Sequence, residues 1–183
     1  MESLNFFKNY NFYTIQIVFC VDTTGSMEKH IDAVKKLLKN LIDSIDHLKM
    51  IQYEFGFVGY RDHPPEDKSY VTKTKDFCDA ETMLEFIEDE ITADGGGDFP
   101  EAVLDGLNDC VDKLTWKKKS IKIVFHIADA PPHGRIYYDG GDSWKSGCPS
   151  GNTAERVAAK FKKLKIKYVL IDCGYDRKKK KIL

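Results

Sequence analysis

Apolar positions along the chain fall into two alternating patterns. Short, nearly unbroken apolar runs occur at 15–21 (IQIVFCV), 121–128 (IKIVFHIA) and 166–172 (IKYVLID). Their length and β-branched content predict strands buried on both faces, as in a parallel sheet. Residues 51–60 (IQYEFGFVGY) predict a further strand. Three- and four-residue steps separate Ile31, Val34, Leu37, Leu38, Leu41, Ile42, Ile45 and Leu48, which predicts an amphipathic helix. RDHPPED reads as a turn, because Pro64 and Pro65 forbid regular ladder bonding. A short strand near Tyr70–Thr72 follows, and Asp79 is placed to cap a helix running through Glu90.

TADGGGDF reads as a loop, and Pro100 fits the first turn of a helix that turns Val103, Leu104, Leu107, Val111 and Leu114 inward. Residues 129–152 form a long glycine-rich loop. Asn152 or Thr153 then caps a helix containing Val157, Ala158, Phe161 and Leu164. Strands alternating with helices predict an α/β fold: a doubly wound, mostly parallel sheet with helices on both faces. In such sheets ligands bind beyond the carboxyl ends of the strands. Asp22, Asp62, Asp129 and Asp172 all fall at that edge.

Composition narrows the function classes. The chain has 183 residues, enough for one domain, with a formal net charge of −1. No global field points to nucleic acid or to an anionic membrane. No apolar run approaches the ~20 residues needed to span a bilayer. Five cysteines without a CxxC pair, two of them in apolar strands, read as reduced thiols. The expected location is the cytoplasm. The expected layout is an N-terminal extension at 1–14, a domain at 15–173 and a basic tail at 174–183.

The chemistry concentrates at the strand ends. In VDTTGSM, alternate residues of an extended loop point the same way, so Asp22, Thr24 and Ser26 converge. These hard oxygen donors suit Mg²⁺ or Mn²⁺. GGGDFPEA brings Asp98, and HIADAPPHG brings Asp129. Three carboxylates so close repel one another unless a cation lies between them. Each acid alone has a plainer reading, as a turn residue or a helix-start acid.

VFCVDTTGSM, GGGDFPEA and VFHIADAPPHG resemble the three loops of a von Willebrand factor A domain and its metal-ion-dependent adhesion site. The match to the Asp-x-Ser/Thr-x-Ser signature runs through Asp22, Thr24 and Ser26, and the acid after the fourth strand through Asp129. FGFVGYRDHP and ADAPPHG resemble the intracellular branch found with alpha-type protein kinases. The resemblance implies a Rossmann-like sheet ordered 3-2-1-4-5-6 with the third strand antiparallel. It also implies metal ligands Asp22, Thr24, Ser26, Asp98 and Asp129. A non-catalytic function is implied, in which the ion holds an exposed Asp or Glu of a protein partner. Asp98 stands where many members carry a threonine. Nothing after the fifth strand reads as the last strand and its helix, so the chain is expected to be a fragment, a truncated gene product or a domain completed by a partner, and further domains of a longer product are left open. Arg61 and Asp62 are expected to shape the rim, and Tyr137, Tyr138 and Trp144 to line it as interface anchors or as pins for the long loop.

Rival readings are narrower. DTTGS resembles the phosphorylation motif of aspartate-nucleophile phosphatases and phosphotransferases, which makes Asp22 a Mg²⁺-dependent nucleophile, but GGDSW lacks the expected late acid pair. No Gly-Lys-Ser/Thr ending supports a nucleotide loop. His126, Asp129 and His133 form a weak zinc pattern, since His126 sits within an apolar strand.

Overall fold

The structure is a computed structural model that describes residues 14–46 and 51–174. Strand β1 (Thr14–Asp22) is central. Its neighbours are β2 (Gln52–Tyr60) and β4 (Ser120–Ala128), both parallel to it. Strand β3 (Thr72–Cys78) pairs antiparallel with β2, and β5 (Ile166–Asp172) pairs parallel with β4. The order is β3-β2-β1-β4-β5, with four helices: α1 (Glu28–Asp46), α2 (Ala80–Glu90), α3 (Val103–Asp112) and α4 (Ala154–Leu164). The doubly wound, mostly parallel α/β sheet with one antiparallel strand is as expected, and no sixth strand occurs among the described residues.

Residue parity along β1 divides the core. Ile17, Phe19 and Val21 pack with Ile31, Val34, Leu38 and Ile42 of α1 and with Met83 and Ile87 of α2. Val18 and Cys20 face the other way, toward Val103, Leu107 and Cys110 of α3 and Val157 and Phe161 of α4. A strand apolar on both parities is what a helix layer on each face requires.

Several boundaries differ from the sequence reading. The edge strand begins at Thr72 and runs to Cys78, longer and later than the Tyr70–Thr72 segment. Helix α3 begins at Val103, three residues after Pro100. The backbone of the intervening residues bonds elsewhere: Glu101 N donates to Pro131 O at 2.9 Å and Ala102 N to Arg61 O at 2.9 Å. β5 is not buried on both faces; Tyr168 and Val169 are 36% and 39% exposed, as befits an edge strand. Leu37 is exposed, while Leu48, residues 1–13 of the N-terminal extension and residues 175–183 of the tail lie outside the described residues. Asp79 caps α2 through Thr82 N at 2.8 Å, and Thr153 rather than Asn152 caps α4.

A buried polar chain joins the layers beneath the carboxyl edge. Tyr60 Oη lies 2.8 Å from His126 Nε2, and His126 Nδ1 lies 2.7 Å from Tyr168 Oη. Gly106 of α3 permits Tyr60 to sit there, because a Cβ at that position would meet the Tyr60 ring at 2.4 Å. Burial pushes the His126 pKa down to about 3, so the imidazole is neutral. A histidine held neutral contributes stability that is complete above about pH 6.5 and is lost as pH falls toward its folded value. Nuclear magnetic resonance should show the His126 ring unprotonated at pH 5 while global stability declines from pH 6.5 downward. A titration of His126 near pH 6.5 in the folded protein would contradict this.

Candidate metal centre

Parallel register brings the first and third loops together. Val21 pairs with Ile127, so Asp22 and Asp129 leave adjacent strands one residue out of step. Asp22 closes β1 fully buried. Its Oδ1 accepts from Thr24 N at 3.0 Å and from Thr24 Oγ1 at 2.7 Å, an Asx-type turn that folds the loop back over the strand end. Ser26, in a 3-10 turn at Gly25–Met27, donates from Oγ to Asp129 Oδ1 at 2.9 Å. The Thr24 and Ser26 hydroxyl oxygens approach to 3.2 Å. With both hydroxyl protons given to carboxylates, their lone pairs face the same space. Three polar contacts therefore link Asp22 to Asp129.

Backbone bonds stitch the second loop to the first. Gly25 N donates to Gly95 O at 2.9 Å, and Asp94 N to Thr23 O at 3.1 Å. Gly95 has φ +72°, and a Cβ there would meet Asp67 Oδ2 at 1.8 Å, so only glycine fits. This loop delivers Glu101, which is 3% exposed and whose Oε2 is buried without a hydrogen-bond partner. Burial, then the charges of Asp22, Asp62, Asp98 and Asp129, push its pKa up to about 11. Glu101 was missed from sequence because a helix starting at Pro100 turns it toward solvent. The signal that marks it is its place in the same acid-bearing loop, one residue past Pro100.

Asp98 lies elsewhere. It groups with Asp62 and His133, the donor atoms all lying within 4.8 Å of one another. Its Oδ2 accepts from Ser143 N at 2.6 Å, and burial with the Asp62 charge raises its pKa. Asp62 Oδ1 accepts from His133 Nε2 at 2.8 Å, and His133 Nδ1 faces Asp142 Oδ1 at 3.0 Å. Burial alone lowers the His133 pKa, but Asp62 and Asp142 outweigh it and raise it overall. His133 thus serves as a resident countercharge for two buried acids. Asp142 and this clamp were not legible in the loop sequence.

The expected rim is corrected in part. Arg61 is 4% exposed and turns inward, donating to Thr23 O, Ser69 Oγ and Thr92 O at 3.2, 2.9 and 3.1 Å. Asp62 is fully buried. Neither faces a partner, because both are consumed in tying loops together. Trp144 packs against His133 and His63 with ring centroids 4.7 and 5.5 Å away, pinning the long loop. Tyr138 stacks near the exposed Phe99 at 5.0 Å, and Tyr137 is half-buried. His126, Asp129 and His133 bond to three different partner sets and do not form one site.

A family model of the von Willebrand factor A domain matches residues 16–139. The chain belongs to that family. It is 34% identical over 158 residues to alpha-protein kinase vwkA of Dictyostelium discoideum, covering 84% of this chain and 24% of the relative. It is 31% identical over 123 residues to a putative ariadne-like RING finger protein of Acanthamoeba polyphaga mimivirus, covering 65% of this chain and 11% of the relative. The chain thus spans about a quarter of the Dictyostelium protein. Among solved structures, proximal thread matrix protein 1 of the mussel byssus superposes with a TM-score of 0.62 at 16% identity, covering 87% of this chain and 36% of that one. The pilus adhesin SpaC of Lactobacillus rhamnosus GG superposes at 0.58 and 14% identity, covering 93% and 25%. At such identities these show the fold.

Von Willebrand factor A domains are generally protein-interaction modules. No helix among the described residues is long and apolar enough to cross a membrane. In this A domain the site fits a hard cation: every donor is oxygen, and Glu101 presents a buried carboxylate oxygen with no hydrogen bond. Glu101 also gives a signed pH effect. Its folded pKa lies far above its usual value, so folding without a cation loses stability as pH rises from about 4.5 toward about 11. Glu101→Gln should stabilise the cation-free domain at pH 7 by about 1–3 kcal/mol, or about 2–4 °C in melting temperature per kcal/mol. The same variant should bind Mg²⁺ more weakly in calorimetry.

Proposed function

We propose that this A domain holds a divalent cation, Mg²⁺ or Mn²⁺, and uses it to grip an acidic group of a protein partner. Asp22, Thr24, Ser26 and Asp129 supply the oxygens of the first and third loops, and Glu101 supplies that of the second. Asp98 acts through water or from the side. The observation that carries this reading is geometric: Asp22, Thr24, Ser26 and Asp129 are joined by polar contacts of 2.7, 3.2 and 2.9 Å, and Glu101 Oε2 is buried without a hydrogen bond. Mg²⁺ keeps several waters, so an incoming Asp or Glu can replace one of them. Phe99, Tyr137 and Tyr138 form the aromatic rim that such a partner would meet. The role is binding rather than catalysis, in the cytoplasm, within a longer product that carries further domains.

Asp22→Ala should abolish Mg²⁺ and Mn²⁺ binding in calorimetry while circular dichroism shows an unchanged fold. Partner capture should fail in EDTA and in the same variant. Wild-type affinity in Asp22→Ala would refute the assignment. Full capture in EDTA would make the loop aromatics the binding surface by themselves. Acid-labile phosphate on Asp22 after exposure to a phosphodonor would establish the aspartyl-phosphate enzyme instead.

A further inference from the structure

A second group of donors converges beside the Asp62–His133 clamp, and its chemistry differs from that of the oxygen-lined site. His63 follows the end of β2, Asp105 lies in the first turn of α3, and Cys148 lies near the end of the long loop. His63 Nε2 is 2.9 Å from Asp105 Oδ2, and Cys148 Sγ donates to the same oxygen at 3.0 Å. All three donor atoms lie within 4.8 Å of one another. The His63 and Asp105 side chains are each 8% exposed.

We propose that His63, Asp105 and Cys148 form a zinc site that fastens the long loop to the body of the domain. One nitrogen, one oxygen and one sulfur make a borderline donor set that zinc accepts and magnesium refuses. A tetrahedral zinc ion at bond lengths of roughly 2.0–2.3 Å sets its donors roughly 3.3–3.6 Å apart. The His63–Asp105 and Cys148–Asp105 spacings are hydrogen-bond lengths and the third lies within 4.8 Å, so small side-chain shifts reach those separations.

The surroundings are those of a supported metal site. Asn152 Nδ2 donates to Asp105 Oδ1 at 3.0 Å and orients the carboxylate. The Trp144 edge orients the His63 ring. Burial opposes ionisation of Asp105, but hydrogen bonds from His63, Cys148 and Ser150 outweigh it and hold its pKa below the usual range. Cys148 lines a cavity of about 270 Å³ together with Gly134, Tyr137 and Asn152, which offers an ion and one water a way in. Binding releases the Cys148 thiol proton to solvent and leaves His63 protonated on Nδ1, with Nε2 on the metal.

The site ties three separate segments, and one of them carries Tyr137 and Tyr138. Zinc loading therefore sets how firmly the rim of the first site is held. The inference does not require the Mg²⁺ reading to be correct.

The test uses the full chain, reduced and in saturating Mg²⁺, titrated with Zn²⁺ and separately with Co²⁺. One equivalent of zinc should bind, and cobalt should give a near-ultraviolet thiolate charge-transfer band with tetrahedral ligand-field bands. Cys148→Ser should abolish the thiolate band and weaken zinc binding at least about tenfold. Asp22→Ala should change neither. Zinc should also slow tryptic cleavage at Arg135 and Lys145 severalfold in the wild type and not in Cys148→Ser. Absence of the thiolate band in the wild type, its survival in Cys148→Ser, or cleavage indifferent to zinc would each overturn the proposal.

Discussion

The constraint on which this structure depends is the repulsion among acids gathered at one rim of the sheet. Asp22, Asp62, Asp98, Glu101 and Asp129 approach closely enough that each charge reaches Glu101. Two carboxylates ~5 Å apart repel by about 3 kcal/mol at an effective dielectric constant of about 20. Burial removes the water that would otherwise weaken this. The chain answers in two ways. Asp62 and Asp142 share the buried imidazole of His133, whose pKa they raise, and also accept from the backbone N–H groups of His63, Gly134 and Trp144. Asp22 accepts from the Thr24 hydroxyl and N–H, Asp129 accepts from the Ser26 hydroxyl, and Glu101 answers by holding a proton. The rim is thus divided: Asp62 and Asp142 are bonded to an imidazole and to backbone N–H groups, whereas Glu101 Oε2 has no hydrogen bond.

Holding such a rim together takes unusual backbone wiring. The loops above the strands bond to one another rather than extending the helices. Glu101 and Ala102 give their N–H groups to Pro131 and Arg61, which delays α3 and aims Glu101 inward. Arg61 spends its guanidinium on carbonyl and hydroxyl oxygens of three neighbouring segments. Loop acids that would drive the segments apart are therefore fixed by neutral backbone bonds, which do not weaken when the carboxylates ionise. Stability is given up at the rim so that a binding geometry exists before a ligand arrives.

The fold was legible because doubly buried strands leave a strong signal. β1 and β4 are apolar on both parities, and helices with a single apolar stripe separate them. Asp22, Thr24 and Ser26 were legible as well, since their convergence follows from local backbone geometry alone. What was hidden depends on long-range pairing. Glu101 is aimed by its bond to Pro131, thirty residues away in sequence, and its place in the acid-bearing loop is the single local sign of it. Arg61 and Asp62 look like rim residues because polar side chains at a strand end usually are; the long loop's His133 covers Asp62, and Thr23, Ser69, Tyr70 and Thr92 enclose Arg61. β5 reads as a core strand by composition, yet its exposure is decided by what lies beside it in the sheet.

The long loop then takes on a role that its glycine content disguises. Trp144 wedges between His63 and His133, Asp142 grips His133, and Ser143 donates to Asp98 and Glu66. Asp142 and Ser143 tie the loop to polar and acidic groups, and Trp144 packs against two imidazole rings rather than an aliphatic surface. Such a loop is held by electrostatics, so its attachment answers to the ions and protons around it more than to the core beneath it. The loop meets the oxygen donors Asp98 and Asp62 through Ser143 and His133, and the nitrogen and sulfur of His63 and Cys148 group with Asp105. Segregation of donor types follows a rule of ligand softness: a rim of oxygens alone discriminates poorly among hard divalent ions but excludes soft ones, and a mixed set does the reverse. An ion held by either donor set would therefore act on the same loop through different residues.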